Sequence, residues 1–130
     1  MLSFCHGGEH HTRTQFQFAL VSPGWRKNHP LINQALDAGL LLRSEIDLAW
    51  LVKEELAPSQ RWIGLTGTNG KTTTVQMTES ILRESGISAR ACGNVGETVI
   101  DAVSSTEADV LVLELSSFQL EWSSLFELES

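Results

Sequence analysis

Trp62-Ile63-Gly64-Leu65-Thr66-Gly67-Thr68-Asn69-Gly70-Lys71-Thr72-Thr73 is an apolar run that passes through a glycine-spaced turn into Gly-Lys-Thr and then into a helical pattern. Residues 61–66 read as a buried strand, and residues 71–84 as a helix ended by Gly86. Strand, tight loop and helix, in that order, are the parts that polyphosphate binding needs. Gly67 and Gly70 let the backbone curl so that successive N–H groups point inward, and the helix behind them offers unpaired donors and its positive dipole end. Lys71 then reaches the β- and γ-phosphates, and the Thr72 hydroxyl ligates Mg²⁺. The usual pattern has a glycine five residues before Gly70; Leu65 stands there, and Gly64 lies one place too early. Gly67 and Gly70 can still form the anion nest, so the stretch reads as a variant phosphate loop.

On both sides of this loop strand and helix patterns alternate. Downstream, residues 87–92 read as a strand, 97–103 as a short helix and 109–115 as a strand of almost unbroken apolar character. Upstream, Phe16 to Val21 reads as a strand closed by the turn Ser22-Pro23-Gly24. Pro30 suits the first turn of a helix that Gly39 ends, and Leu40 to Leu42 is a further short strand. Ser44-Glu45-Ile46-Asp47 has the form of a capping box, and its helix runs to about Leu56 with Ile46, Ala49, Trp50 and Lys53 on one stripe. Strands without polar alternation, separated by helices, imply an α/β fold: a parallel sheet with helices on both faces, joined by right-handed crossovers. Ala57-Pro58-Ser59-Gln60 marks a boundary just before the loop strand.

With 130 residues, 42% of them hydrophobic and 19% charged, the chain is long enough for a real core. Its net charge of −7 comes from 16 acidic and 9 basic residues, and Arg26-Lys27 is the only adjacent basic pair. Nucleic acid is thereby excluded as a partner, because its backbone is held by clustered Lys and Arg. A free nucleotide needs only one lysine-bearing loop. Cys5 and Cys92 form no CxxC pattern and read as reduced thiols of a cytoplasmic protein. No apolar run approaches the ~18 residues of a membrane span, and no signal-peptide layout opens the chain. Residues 1–15, with His6, His10 and His11 near Cys5 and Glu9, read as a solvated tail, since Gly7-Gly8 opposes the helix that would align a metal site.

Two further segments carry chemistry. In Asp109-Val110-Leu111-Val112-Leu113-Glu114, an acid stands near the end of a parallel strand, where ligands of open α/β sheets bind. Mg²⁺ takes few carboxylates and fills its other positions with water and phosphate oxygens, so Glu114 with Thr72 is a sufficient protein contribution. Gly93-Asn94-Val95-Gly96 follows another strand and reads either as a tight turn or as a loop that brings Asn94 to the same crevice.

Together these segments resemble the Mur ligases, the ATP-dependent amide-forming enzymes of peptidoglycan precursor synthesis. The loop Thr66-Gly67-Thr68-Asn69-Gly70-Lys71-Thr72-Thr73 is similar to theirs, and the family does not require glycine at the position of Leu65. Gly93-Asn94-Val95-Gly96 and Glu114-Leu115-Ser116-Ser117-Phe118-Gln119-Leu120 look like the D-glutamate-adding branch; the lysine- or diaminopimelate-adding relative has histidine where Phe118 stands. Ser22-Pro23-Gly24, His29-Pro30 and Ser44-Glu45-Ile46-Asp47-Leu48 are similar to the same branch, so the resemblance covers about Leu20 to Leu125.

The resemblance implies an ordered reaction. ATP phosphorylates the carboxylate of UDP-N-acetylmuramoyl-L-alanine to an acyl phosphate, the amine of D-glutamate attacks, and phosphate leaves. It implies ATP binding by Gly67, Thr68, Asn69, Gly70, Lys71, Thr72 and Thr73, with Mg²⁺ held by Thr72 and Glu114. Lys71 and Glu114 take the catalytic roles, while Asn94, Ser116 and Gln119 face the UDP-sugar peptide or the metal. Residues 16–57 correspond to the end of a Rossmann-like UDP-substrate-binding domain. Residues 58–130 correspond to the first half of the P-loop-type ATP-binding central domain, with residues 1–15 unassigned. The family's downstream histidine ligand, carbamylated lysine and amino-acid-binding domain have no counterpart here, so the chain reads as an internal piece that binds Mg·ATP without completing ligation. Another Mur ligase or a folylpolyglutamate synthetase relative is the alternative. A GTPase is excluded by the lack of an Asn-Lys-x-Asp segment. The last strand and Trp122 to Phe126 are expected to expose apolar surface.

Overall fold

The computed structural model describes residues 17–94, 96–105 and 107–124. Two parallel sheets are built along the chain. The first pairs β1 (Phe18–Leu20) with β2 (Leu41–Arg43), Phe18 opposite Leu41, with α1 (Pro30–Asp37) between them in sequence. α2 (Glu45–Leu56) leads to the second sheet, formed by β3 (Arg61–Leu65), β4 (Ala89–Gly93) and β5 (Val110–Glu114) in the order β3-β5-β4. Its crossovers are α3 (Lys71–Glu84) and α4 (Val99–Ser105), and α5 (Ser117–Glu121) follows β5.

All five residues of β5 are buried, and the two-residue period of a strand divides them between two cores. Val110 and Val112 join Val75 of α3 on one face, whereas Leu111 and Leu113 join Ile46 and Ala49 of α2 and Val99, Ala102 and Val103 of α4 on the other. Helices thus cover both faces, as the unbroken apolar character of the strands requires. The same period places Glu114 on the α3 face, next to the start of that helix. Apolar residues of α2, before Pro58, share the core of the second sheet with Trp62. The Ser44 hydroxyl accepts from the Asp47 N–H at 3.0 Å, and the Asp47 carboxylate accepts from the Ser44 N–H at 3.3 Å, which closes the capping box of α2.

The structure shifts several expected boundaries, each for a local reason. The strand expected from residue 87 starts at Ala89, because the Ile87 N–H is used on the Leu82 carbonyl (3.0 Å) and that of Gly86 on Arg83 (3.0 Å), a Schellman ending of α3. α4 starts at Val99 rather than residue 97, with the Thr98 hydroxyl accepting from the Asp101 N–H at 3.3 Å as an N-cap does. The expectation of exposed apolar surface at the last strand is corrected as well. β5 lies between its two partners, and Trp122 is 9% exposed, packed with Val21 and Ile32. Among the described residues, apolar area is exposed elsewhere, most at Met77, Ile81 and Phe118 and also at Leu36, Leu41 and Leu56. The expected tail at 1–15, Phe16, Leu125 and Phe126 lie outside the described residues. Among the described residues no helix is long and apolar enough to cross a membrane.

Candidate functional site

The carboxyl ends of the three strands meet at one corner. β3 ends at Leu65, and residues 66–70 form an exposed loop before α3 opens at Lys71. Gly70 stands at the N-cap with φ +76°, a left-handed conformation that glycine adopts without strain, and it brings no side chain to cap the helix. The first backbone N–H groups of α3 therefore face outward beside the loop, with the helix dipole behind them. Thr68, Asn69 and Thr73 are exposed around this end. The Lys71 ammonium folds back and donates to the Gly67 carbonyl at 2.7 Å.

Across the corner, the Thr72 hydroxyl donates to the Glu114 carboxylate at 2.8 Å. Glu114 is only 4% exposed, and it forms no ion pair among the described residues. A buried carboxylate without a countercharge is costly, and a cation at this point removes the cost. One carboxylate and one hydroxyl suit Mg²⁺, a hard cation that keeps most of its shell for water and phosphate oxygens. The donor set fits that ion. The structure brings together the two residues that the sequence reading paired; the 42-residue gap between them is closed by the β3–β5 register, in which Leu65 lies opposite Glu114.

The loop after β4 is tied to the same place. The Asn94 N–H donates to the Glu114 carbonyl at 2.9 Å, and the Asn94 side chain is exposed. Gly93, at φ +119°, approaches so closely that a Cβ there would lie 2.4 Å from the Glu114 carbonyl oxygen. Both sequence readings of this segment, turn and crevice loop, describe the same backbone; Val95 lies outside the described residues.

Ser116 and Gln119 have a local task that the sequence reading missed. The Ser116 hydroxyl accepts from the Gln119 N–H at 3.1 Å, and the Gln119 side-chain oxygen accepts from the Ser116 N–H at 2.9 Å. The pair is the capping box of α5, a helix that was not expected. The Ser-x-x-Gln spacing at 116–119 was the available signal.

Cys92, two residues from Asn94, is buried, and burial with the nearby Glu97 pushes its thiol up to about 12. It stays protonated and takes no part in nucleophilic chemistry. Among the described residues, clefts lie elsewhere. One of about 430 Å³ is lined by Gly24, Trp25, Arg26, Asn28, His29 and Pro30, and one of about 260 Å³ by Trp50, Lys53 and residues 58–62. Neither lining includes a residue of the Thr72–Glu114 corner.

Residues 65–128 match the Mur ligase middle domain. Proteins named UDP-N-acetylmuramoylalanine--D-glutamate ligase are similar over most of the chain. That of Nocardia farcinica is 42% identical over 113 residues, 85% of this chain and 24% of the relative. That of Thermobifida fusca is 48% identical over 107 residues, 80% and 22%, and that of Corynebacterium diphtheriae 46% identical over 112 residues, 84% and 24%. The chain thus spans about a quarter of the length of the relatives it matches.

Proposed function

The chain belongs to the Mur ligase family, and from that premise we propose that its Thr72–Glu114 corner holds Mg²⁺ beside the phosphates of ATP in a ligase that adds D-glutamate to UDP-N-acetylmuramoyl-L-alanine. The observation that carries this reading is the buried Glu114 carboxylate, bonded to Thr72 at 2.8 Å beside the uncapped start of α3. Residues 58–130 are then the first half of the ATP-binding domain, and residues 16–57 the end of the UDP-substrate domain. The setting is the cytoplasm, where these nucleotides are found.

Each residue has a task that follows from its chemistry. Bound Mg²⁺ supplies the positive charge that lets a substrate carboxylate approach the γ-phosphoryl group. The N–H groups of residues 67–73 take phosphate oxygens along the loop. Lys71 exchanges the Gly67 carbonyl for a phosphate oxygen, and its charge is carried into the site by the same side chain. Thr72, by donating its proton to Glu114, directs an oxygen lone pair outward, and Glu114 contributes the countercharge. Asn94, with its backbone fixed on β5 and its side chain exposed, is assigned to the sugar-peptide whose carboxylate is activated. Ser116 and Gln119, whose acceptors close the cap of α5, are assigned to shaping the same crevice.

Calorimetric titration of the chain with Mg·ATP tests this reading. Uptake is expected, with Lys71→Ala weakening it about 10-fold or more, the worth of one charge-assisted contact of roughly 1.5–3 kcal/mol. Equal affinity of the two proteins would remove the basis for the proposal.

A further inference from the structure

We propose that Asp47 is a positioning residue for the Thr72–Glu114 corner, acting through the segment that follows α5; the role rests on the nucleotide reading above. Asp47 is 0% exposed, at the third position of α2. Besides closing the cap on Ser44, its carboxylate accepts the backbone N–H of Ser124 at 2.9 Å, 77 residues away in sequence. The neighbouring side chains hold the same segment. The hydroxyls of Ser44 and Ser123 are hydrogen-bonded at 2.8 Å, Ser123 donates to the Gln119 carbonyl at 2.8 Å, and the Arg43 guanidinium donates to the Ser124 hydroxyl at 2.7 Å. Trp122 is packed between them and the first sheet, against Val21 and Ile32.

The other end of α5 is held by α2 as well. Leu115 is 1% exposed in the core that contains Ile46 and Ala49, and its N–H donates to the Leu65 carbonyl at 2.9 Å. A five-residue helix does not sustain its own direction, so its two tethers decide it. Glu114 is the residue just before the first tether, and Asp47 supplies the charge-assisted bond of the second. Loss of the second leaves α5 to pivot about Leu115, and the pivot turns the strand end that presents the Glu114 carboxylate to Thr72. Asp47 touches neither phosphate nor metal; its effect is on the metal-dependent part of nucleotide affinity.

Because Asp47→Ala removes a buried cap and risks unfolding, the test uses exposed Ser124. Ser124→Pro deletes the N–H that Asp47 accepts, whereas Ser124→Ala keeps it and loses only the Arg43 contact. Hydrogen exchange of the full chain is expected to show the amides of Gln119, Leu120 and Trp122 exchanging at least 10-fold faster in Ser124→Pro, with α3 and residues 110–113 of β5 unchanged. Calorimetry with ATP, with and without Mg²⁺, is expected to show the affinity gained on adding Mg²⁺ falling about 10-fold, with metal-free ATP affinity unaltered. Ser124→Ala is expected to match the unsubstituted chain in both. Equal exchange in the two variants, or an unchanged gain from Mg²⁺ in Ser124→Pro, overturns the role of Asp47 alone. An unsubstituted chain that takes up no Mg·ATP overturns the nucleotide reading, and the role with it.

Discussion

Gly93→Ala should cost more than any other glycine substitution in the β4–α4 loop, and the structure says by how much. Two penalties combine at this position. The backbone is at φ +119°, a region that L side chains rarely adopt, and holding one there costs about 1–3 kcal/mol. The added Cβ also falls 2.4 Å from the Glu114 carbonyl oxygen and 3.0 Å from its nitrogen. These are backbone atoms of the central strand, so the clash cannot be relieved by a side-chain rotation. Relief requires β4 to move from β5, an overpacking cost of about 1–3 kcal/mol. Gly96→Ala provides the comparison: φ is +87° and nothing lies within 4 Å, so only the first penalty applies. The difference between the variants isolates the clash. At roughly 3–5 °C per kcal/mol for a chain of this length, Gly93→Ala should melt at least about 3 °C below Gly96→Ala, as followed by circular dichroism. The strand separation also stretches the 2.9 Å bond from the Asn94 N–H to the Glu114 carbonyl, so Mg·ATP affinity should fall in Gly93→Ala and hold in Gly96→Ala. Equal melting temperatures would refute the close approach of β4 to β5.

Glu114→Gln keeps the shape and an acceptor for the Thr72 hydroxyl but removes the buried charge; stability should hold or rise by about 1 kcal/mol, while the affinity gained on adding Mg²⁺ is lost. Retention of that gain, measured by calorimetry, would place the metal elsewhere. Cys92, 1% exposed with its thiol raised from 9.0 to about 12, should resist alkylation at pH 8 until the chain is unfolded in urea, as read by peptide mass mapping; labelling of the native chain contradicts its burial. The upward shift stabilises the fold in full below about pH 9, the thiol's ordinary value. This contribution is lost as pH rises from there towards 12, because the unfolded chain ionises first, at most about 4 kcal/mol in all.

Much of this fold could be read from local patterns because few long-range facts were needed to place them. The bounds of α3 follow from Gly70 and Gly86, and those of α2 from the Ser44 cap and Pro58, all chemistry contained within a few residues. What the sequence does not hold is strand order. A run such as Val110 to Leu113 says only that both faces are covered; that β5 lies between β3 and β4, and so is no exposed edge, is decided by how α3 and α4 pack on opposite faces. The same limit applied to the site. Glu114 could be placed at a strand end, yet its approach to Thr72 depends on the register of Leu65 opposite Glu114 and on the two-residue period that turns position 114 to the α3 face. Ser116 and Gln119 were placed by resemblance alone, and their i, i+3 spacing carried a local task, the cap of α5, that went unread. Trp122, Ser123 and Ser124 lay furthest from reach. Trp122 read as apolar surface without a cover, because the partners Val21, Arg43, Ser44 and Asp47 of this segment are far from it in sequence and are brought to it only by tertiary packing. Residues whose partners are near in sequence could be read one at a time, and those that join the two sheets could not.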